Sequence, residues 1–244
     1  MHRVLLEPSP VRSTSNRVLA TLAAATVLGS SLAACADGEN SPQNSKAISS
    51  SRASSAGQAG GGCTPATSRD GLSLPDKSCA QGKTFQAVVD TSQGEFTLEL
   101  DGTKAPQTVA SFIQLSGAYY ANTSCHRLVP DFVLQCGDPT GTGTGGPGYT
   151  YGLENAPKDD QYPRGTLAMA RQGNNGDSNG GQFFVTLKDV PIPSDSAGGY
   201  TIFGKVLSGM DVMDRVAAGG VAEDGTAPKT PVTIKKITVT EKKA

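Results

Sequence analysis

From Lys83 onward the chain reads as a series of short strands, and this pattern constrains its fold more than any other feature. In 94–101, apolar side chains alternate with polar ones, as expected for a strand with one buried face. The apolar phase changes at Lys235 and Lys236, which predicts a bulge in the last strand. Strands are predicted at 85–91, 94–101, 125–129, 132–136, 166–170, 182–187, 200–206 and 232–240.

Two predicted helices interrupt these strands. Pro106 suits the first turn of one helix, and Gly117 suits its C-terminal cap. Ser208, with Asp211 three residues later, resembles a capping box that begins the other helix. Many short strands with two helices indicate an antiparallel barrel or sandwich, and the pattern alone does not choose between them.

The N-terminus reads as an export signal. Arginines at the start precede an apolar run at 18–32 that is too short to cross a bilayer comfortably. The run ends in Leu-Ala-Ala-Cys, which resembles a bacterial lipobox and predicts a lipid on Cys35 after removal of residues 1–34. An ordinary signal peptide with an incidental cysteine is the alternative. We therefore expect an extracytoplasmic protein that is lipid-anchored to the cell membrane.

The residues after the lipobox predict a tether. Residues 36–62 are rich in Ser, Ala, Gly, Gln and Asn, and they lack apolar periodicity. We expect a flexible segment over 35–82, with an r.m.s. span of roughly 40 Å. The predicted organisation is a signal peptide (1–34), a tether (35–82) and a globular domain (83–243).

Composition and local motifs exclude several functions. The formal net charge of −1 provides no basic field for nucleic acid. Two histidines and the lack of any C-x-x-C pair argue against a metal centre. The glycine-rich run 141–146 leads into Pro147 rather than a helix, which argues against a nucleotide site. Cys125 and His126 would face opposite sides of a strand, so they would not form a thiol dyad.

The order of several short motifs resembles the cyclophilin family from about Lys83 to Lys243. The motifs are His126-Arg127-Leu128, 132–135, Gly137-Asp138, 143–146, 165–170, 180–184 and 203–206. Each motif is weak alone, but all of them in one order with matching gaps are specific. The resemblance implies a mainly β fold: a closed eight-stranded antiparallel β-barrel capped by two helices.

The resemblance also implies a peptidyl-prolyl cis–trans isomerase that rotates X–Pro bonds in exported proteins. Arg127 matches the catalytic arginine, which would stabilise the twisted amide without a cofactor or metal. Alternation places Phe132 and Val133 on opposite faces, so both line the groove only if the chain twists at the loop end. The substrate-binding positions of the family correspond to Phe132, Val133, Gln135, Ala170, Arg171, Gln182, Phe184 and Tyr200.

Two departures from the family concern the substrate groove. Many relatives carry Asn where this chain has Arg171, which we interpret as a solvated rim charge or a preference for acidic substrates. Many also carry a Trp followed by a His; this chain has no Trp, and Tyr200 aligns with the His. Val190, Ile192 and Pro193 are the candidates to complete the pocket, and the sequence does not choose among them.

The resemblance further implies that the protein binds proline-containing segments of exported proteins. We also expect a monomer that reaches the membrane through the Cys35 lipid of the lipobox. Two other functions stay open. One is a proline-binding chaperone or adhesion module with little turnover, motivated by the altered pocket wall. The other is a cell-envelope structural protein that uses the barrel as a scaffold. The combination of Arg127, Phe132, Gln135 and Phe184 favours the isomerase.

Export favours disulfide bonds among the remaining cysteines. In a hairpin that turns at 130–131, Cys125 lies opposite Cys136, and directly opposite residues come near disulfide reach. We predict this bridge and a second one between Cys63 and Cys79.

The lipobox makes a prediction about membrane association. Expressed in a bacterium that processes lipoproteins, the protein should partition into the membrane fraction, because a multi-chain lipid on Cys35 anchors stably. A Cys35→Ser variant should be released into the soluble fraction, as measured by fractionation and immunoblotting. Equal membrane binding by the two forms would contradict the prediction.

Overall fold

The computed structural model describes residues 63–243. The strands are β1 (Thr84–Thr91), β2 (Gly94–Asp101), β3 (Thr123–Ser124), β4 (Arg127–Val129), β5 (Val133–Cys136), β6 (Gln161–Tyr162), β7 (Thr166–Met169), β8 (Phe183–Thr186), β9 (Val190–Pro191), β10 (Ile202–Ser208) and β11 (Thr233–Lys242). The helices are a short 3₁₀ helix (Lys77–Cys79), α1 (Pro106–Leu115) and α2 (Met210–Ala218). Neither α-helix of this part is long and apolar enough to cross a membrane. The predicted signal peptide, Cys35 and residues 36–62 lie outside the described residues.

Nine strands form one curled antiparallel sheet in the order β3-β11-β1-β2-β10-β7-β8-β5-β4, and β6 pairs separately with β9. The strands at its two edges, β3 and β4, are separated along the chain only by Cys125 and His126. The N–H of Cys125 donates over 2.8 Å to the carbonyl of Val232, the residue just before β11. The chain itself therefore connects the two edges of the sheet. The fold is mainly β with two α-helices, as expected, although its main sheet counts nine strands rather than eight.

The core lies between the curled sheet and α1. The alternation predicted for β2 is present, because Phe96, Leu98 and Leu100 are buried. Phe112 of α1 packs its ring against those of two sheet residues, Phe183 and Phe203, with centroids 5.5 Å apart in both cases. Burial of side chains of this size contributes about 1.5–3 kcal/mol each, so this contact anchors the helix to the sheet.

The N-terminus of α1 is capped by a residue that is distant in sequence. Ala105 at the N-cap position has no side chain that could accept a hydrogen bond. The carboxylate of Glu154 accepts instead from the backbone N–H groups of Gln107 (3.0 Å) and Thr108 (2.8 Å). A carboxylate at this end of a helix satisfies otherwise unpaired donors and interacts favourably with the helix dipole. Glu154 thereby ties the loop before β6 to α1.

The predicted bulge in β11 is confirmed, whereas the capping box predicted for α2 is wrong. The pairing of β1 with β11 passes from Asp90 opposite Lys236 to Thr91 opposite Ile234, which is the predicted bulge. The N-cap of α2 is Gly209, with a φ of 89°, and no capping box is formed. A Cβ at Gly209 would lie 2.6 Å from backbone and side-chain atoms of Phe96, so a glycine is required where the chain turns against β2.

The domain begins earlier than Lys83, the boundary predicted from the sequence. Residues 63–82 pack against the domain, although they were expected to belong to a tether over 35–82. The disulfide Cys63–Cys79 closes this segment, and Ala80 is completely buried. Its polar composition hid these contacts, because the segment is held by a covalent link and backbone hydrogen bonds rather than by an apolar stripe.

Gly117 has a packing role rather than the predicted capping role. The C-cap of α1 is Ser116, in right-handed helical conformation. The backbone of Ala66 approaches Gly117 closely: its N–H donates to Gln114 O and its carbonyl accepts from Ala118 N–H, both at 2.8 Å. A Cβ at Gly117 would lie 2.0 Å from the carbonyl oxygen of Ala66. Gly117 therefore makes room for the N-terminal segment.

The structure contains both disulfides that the sequence predicts, Cys63–Cys79 and Cys125–Cys136. The hairpin of the second bridge, however, differs by one residue from the predicted register, because Val129 pairs with Val133. Its turn is closed by the N–H of Phe132, which donates to the carbonyl of Val129 over 3.0 Å. The bridge therefore connects positions that are diagonal, not directly opposite.

The close approach at Gly117 makes a prediction about stability. Gly117→Ala should lower the free energy of unfolding by about 1–3 kcal/mol, because the added methyl group forces the Ala66 backbone away. Gly173→Ala is the matched control, since a Cβ there meets no atom within 4 Å; its effect should stay within about 1 kcal/mol. Denaturant unfolding followed by circular dichroism measures both. Equal effects of the two substitutions would show that the contact with Ala66 is unimportant.

Candidate active site

Strands β4, β5 and β8 place three of the predicted site residues in one row across the sheet. Arg127 is directly opposite Gln135, and Gln135 is directly opposite Phe184. Directly opposite residues of antiparallel strands point to the same face, so the three side chains share one surface. Ala168 of β7 continues the row beyond Phe184. The register of the strands thus makes the cation of Arg127, the amide of Gln135 and the aromatic ring of Phe184 neighbours.

A cavity of about 160 Å³ opens on this row. Its lining residues are Arg127, Phe132, Val133, Gln135, Ala170, Arg171, Phe184, Ile192 and Tyr200. Phe132 and Val133 both reach it because Phe132 lies in the turn before β5, which begins at Val133. Asp131, with a φ of 62°, supplies the twist that the sequence required for this arrangement. The structure therefore gathers eight of the nine proposed catalytic and substrate-binding residues around one cavity, and the ninth, Gln182, contacts Gln135.

Ile192 and Tyr200 form the wall of the cavity in the region where many relatives carry a Trp. Of the three candidates left open by the sequence, Ile192 lines the cavity. Val190 lies in β9, opposite Tyr162, and is buried in an apolar cluster, and neither Val190 nor Pro193 is among the lining residues. The Tyr200 ring meets the Phe184 ring edge to face, with centroids 5.6 Å apart and planes at 85°. Phe184 and Tyr200 thus make an aromatic corner.

A chain of hydrogen bonds orients the side chain of Arg127. Its Nη1 donates to Gln135 Oε1 (3.3 Å), and Gln135 Nε2 donates to Gln182 Oε1 (2.9 Å). Gln182 Nε2 in turn donates to the carbonyl of Gly145 (2.9 Å). In both glutamines the amide oxygen accepts one hydrogen bond and the amide nitrogen donates another. The orientation of the Gln135 oxygen that accepts from Arg127 is therefore fixed, through Gln182, by the glycine-rich loop.

The buried carboxylate of Asp138 organises that loop. Asp138 Oδ1 accepts from the N–H and hydroxyl of Thr140, both at 2.7 Å, and Oδ2 accepts from the N–H groups of Gly143 (2.6 Å) and Gly145 (3.1 Å). Burial raises the pKa of Asp138, but these hydrogen bonds outweigh it and hold the pKa below its ordinary value. A Cβ at Gly145 would lie 2.1 Å from Asp138 Oδ1, so this position requires glycine.

The predictions for Arg171 are wrong, because its side chain is only 1% exposed. Both a solvated rim charge and a contact with acidic substrates need an accessible guanidinium. The Arg171 guanidinium instead forms an ion pair with Asp195, whose pKa is held well below its ordinary value mainly by this hydrogen-bonded contact. The positive charge was visible in the sequence, but its partner lies 24 residues further along the chain.

The backbone at Ala170 is already partly engaged within the protein. The N–H of Ala170 donates to the carbonyl of Gln182 over 2.9 Å. An extended peptide that pairs with this segment must therefore use other backbone atoms of residues 170–171. A second cavity of about 350 Å³ adjoins the first one along this segment and shares Gln135, Ala170 and Arg171 with it. The two cavities form one groove beside the row of site residues.

Sequence reasoning missed several residues that build this site, namely Asp138, Gly145 and Asp195. Asp138 and Gly145 stood in the motifs that carried the resemblance, but no chemical role was attached to them. Asp195 carried no signal, because a lone Asp in a polar loop is indistinguishable from a solvated one. Its role depends on the path of the loop between β9 and β10.

Comparison with known proteins assigns this fold and site to a family. Residues 86–239 match the family described as "Cyclophilin type peptidyl-prolyl cis-trans isomerase/CLD", so the chain belongs to the cyclophilin family. Among its relatives is "Probable peptidyl-prolyl cis-trans isomerase B" of Mycobacterium leprae, which is 40% identical over 199 residues that cover 72% of this chain and 65% of the relative. The protein of the same name from Mycobacterium tuberculosis is 42% identical over 166 residues, or 60% of this chain and 52% of the relative.

A solved structure shows the same fold. The cyclophilin type peptidyl-prolyl cis-trans isomerase of Cryptosporidium parvum superposes with a TM-score of 0.58 at 31% identity, covering 66% of this chain and 99% of that chain. A second crystal structure of that protein, obtained in the presence of the dipeptide Ala-Pro, has a TM-score of 0.57. This chain spans about half to 65% of the length of the two mycobacterial relatives.

The contacts of Asp138 make a prediction about pH. Asp138→Asn should lower the free energy of unfolding at pH 7 by about 1–3 kcal/mol, because buried N–H donors lose a charged acceptor. The lowered folded-state pKa means that this stabilisation is present above the unfolded value of about 3.9 and is lost as pH falls through the folded value. The difference between wild type and variant should therefore shrink below about pH 4.

Denaturant unfolding at several pH values measures this difference. Asp177→Asn, at an exposed carboxylate of a neighbouring loop, is the control and should have little effect at any pH. A difference for Asp138→Asn that stays constant from pH 7 to below pH 4 would contradict the assigned contacts.

Proposed function

We propose that this chain catalyses the cis–trans isomerisation of X–Pro peptide bonds. The observation that carries the proposal is the position of Arg127, which lines the cavity together with Phe132 and Phe184 and is oriented by Gln135. A cation beside aromatic and aliphatic side chains suits a ligand with an apolar ring next to a polar bond. The names of the mycobacterial relatives support the same activity.

The chemistry requires a catalyst that binds the twisted amide better than the planar one. Resonance sets a barrier of about 18–20 kcal/mol to rotation about the peptide bond. At the top of that barrier the proline nitrogen is no longer conjugated, so its lone pair can accept a hydrogen bond. The guanidinium of Arg127 would donate this bond, which lowers the barrier because the planar ground state cannot accept it. No covalent intermediate forms.

The groove would bind the substrate on both sides of the rotating bond. The proline ring would enter the cavity of about 160 Å³ and contact Phe132, Phe184 and Tyr200. The residues that precede proline would lie along the adjoining cavity beside residues 143–147. Gln135 would hold Arg127 at the boundary between the two cavities, where the X–Pro bond lies.

We also propose that the substrates are exported proteins and that the enzyme works outside the cytoplasm, held to the membrane by a lipid on Cys35. The lipobox before Cys35 supports this location. The two disulfides of the domain support it as well, because such bonds persist mainly in oxidising compartments.

The altered wall of the cavity favours one alternative, a proline-binding chaperone or adhesion module with little turnover. Ile192 and Tyr200 provide an apolar surface for proline binding, which suffices for such a module. The hydrogen-bonded orientation of Arg127 favours the enzyme, since binding of a proline ring alone does not need an oriented cation.

Replacement of Arg127 tests the mechanism. Arg127→Ala should reduce kcat/KM by about 10²–10³, because one donor aimed at the transition state is lost. Binding of a proline peptide should fall much less, since Phe132 and Phe184 are unchanged. Arg127→Lys should recover little activity, because a single ammonium cannot reproduce the planar fork of donors. A protease-coupled isomerisation assay and calorimetric peptide binding provide the two measurements.

Arg215→Ala is the control, since Arg215 is an exposed residue of α2 paired only with Asp211. It should leave kcat/KM unchanged. An Arg127→Ala variant that retains more than about a third of wild-type kcat/KM, a loss below roughly 0.7 kcal/mol, would remove the mechanism and favour the binding module.

A further inference from the structure

All five N–H donors of Arg171 have acceptors within the protein. Nε donates to the carbonyl of Gly199 (3.0 Å) and Nη1 donates to the carbonyl of Gln172 (3.0 Å) and to Asp195 Oδ2 (2.9 Å). Nη2 donates to Asp195 Oδ1 (2.8 Å) and to the carbonyl of Gly198. A guanidinium has five donors, so none is left for a substrate. Arg171 therefore acts inside the protein rather than on a ligand.

Most of these acceptors belong to one tight turn that precedes β10. Asp195 and Gly198 form an isolated antiparallel bridge that closes the turn. The carboxylate of Asp195 also accepts from the backbone N–H groups of Asn174 (2.8 Å) and Ala197 (2.9 Å). Asp195 thus connects its own turn to the backbone at Asn174, and the guanidinium of Arg171 supplies the opposite charge beside its carboxylate.

Tyr200 follows directly after this turn, and its ring lies against the same guanidinium. The Cζ atom of Arg171 is 4.8 Å from the centroid of the Tyr200 ring, within the range of a cation–π interaction. The backbone N–H of Tyr200 donates to the hydroxyl of the buried Tyr162 over 2.7 Å. Phe184 meets the ring from another side. Tyr200 is therefore placed by its backbone, by Phe184 and by Arg171.

We propose that the ion pair of Arg171 and Asp195 is a positioning device that fixes Tyr200 as the wall of the proline pocket and so sets the affinity for proline. The inference rests on the proposed isomerase function. Ile192 and Tyr200 build the apolar wall of the cavity, and the guanidinium of the ion pair lies against the tyrosine ring. Because Arg171 and Asp195 neutralise each other, the device changes pocket shape without adding charge to the groove.

The physical reason for a pair rather than a single residue is the fork geometry of arginine. The guanidinium binds both oxygens of Asp195 and two successive carbonyls of the turn while it presents a flat face to Tyr200. A lysine would place one point charge there and could not serve all these acceptors. Removal of Asp195 would leave a buried cation without its anion, which displaces the turn.

Steady-state kinetics of Asp195→Asn and Arg171→Lys test the proposal. Each substitution should raise KM for a proline peptide by about tenfold while kcat changes by less than about twofold, because the pocket wall is loosened but Arg127 is untouched. Arg127→Ala is expected to give the opposite pattern, with its main effect on kcat. The exposed pair on α2 is the matched control: Asp211→Asn and Arg215→Lys should change neither constant.

A double-mutant cycle shows whether the pair acts through Tyr200. In a Tyr200→Leu background, Asp195→Asn should add less than about twofold to the loss of affinity, because the ring that the pair positions is already gone. If Asp195→Asn lowers the affinity in the Tyr200→Leu background by the same factor as in wild type, the two effects are independent and the proposal is overturned. A KM of Asp195→Asn within twofold of wild type would also overturn it. Thermal unfolding of each variant verifies that the domain remains folded at the assay temperature.

Calorimetric binding of the same peptide separates this inference from the proposed function. If wild type binds the peptide but does not accelerate isomerisation, the proposed function fails. The double-mutant cycle of Asp195 and Tyr200 is then evaluated from dissociation constants instead of KM, so the positioning role is still tested. If wild type does not bind the peptide, both proposals are overturned.

Discussion

The pairing of β5 with β4 on one side and with β8 on the other is the constraint on which the candidate site depends. This register places Arg127, Gln135 and Phe184 on one face, and a shift of one residue would turn Gln135 into the core and remove it from the row. The disulfide between Cys125 and Cys136 connects β5 to the segment just before β4, and the tight turn after Val129 connects the two strands at the other end. The hairpin that carries the cation is therefore held at both ends.

Buried polar groups extend this order from the sheet into the loops. The carboxylate of Asp138 collects the donors of the glycine-rich loop, and the loop carbonyl of Gly145 holds Gln182, which holds Gln135. Unpaired buried donors would be costly, so the loop has few alternative conformations that satisfy the same groups. The orientation of Gln135, which accepts from Arg127, thus depends on the Asp138 carboxylate, three hydrogen bonds away.

The two ends of the groove are built by different physical means. Around Asp138, an anion organises backbone N–H groups, and the chain must carry glycine where it approaches the carboxylate. Around Arg171, a cation organises backbone carbonyls and lies against the ring of Tyr200. Both of these charged side chains make their hydrogen bonds within the protein. Arg127 is the other cation that lines the cavity, and its Nη1 donates to Gln135.

The sequence by itself indicated eight of the eleven strands, the bulge in β11 and both disulfide pairings, because side-chain alternation is a local property and export favours pairing of the cysteines. The two-residue strands β3, β6 and β9 are too short to show a pattern and were not predicted. The sequence also indicated Arg127 and most residues of the cavity, through motifs whose order is specific. Only the tertiary structure decided the partner of Arg171, the cap of α1 by Glu154 and the choice of Ile192 for the pocket wall. These contacts join segments that are distant along the chain, and loop paths, which carry no periodic signal, bring them together.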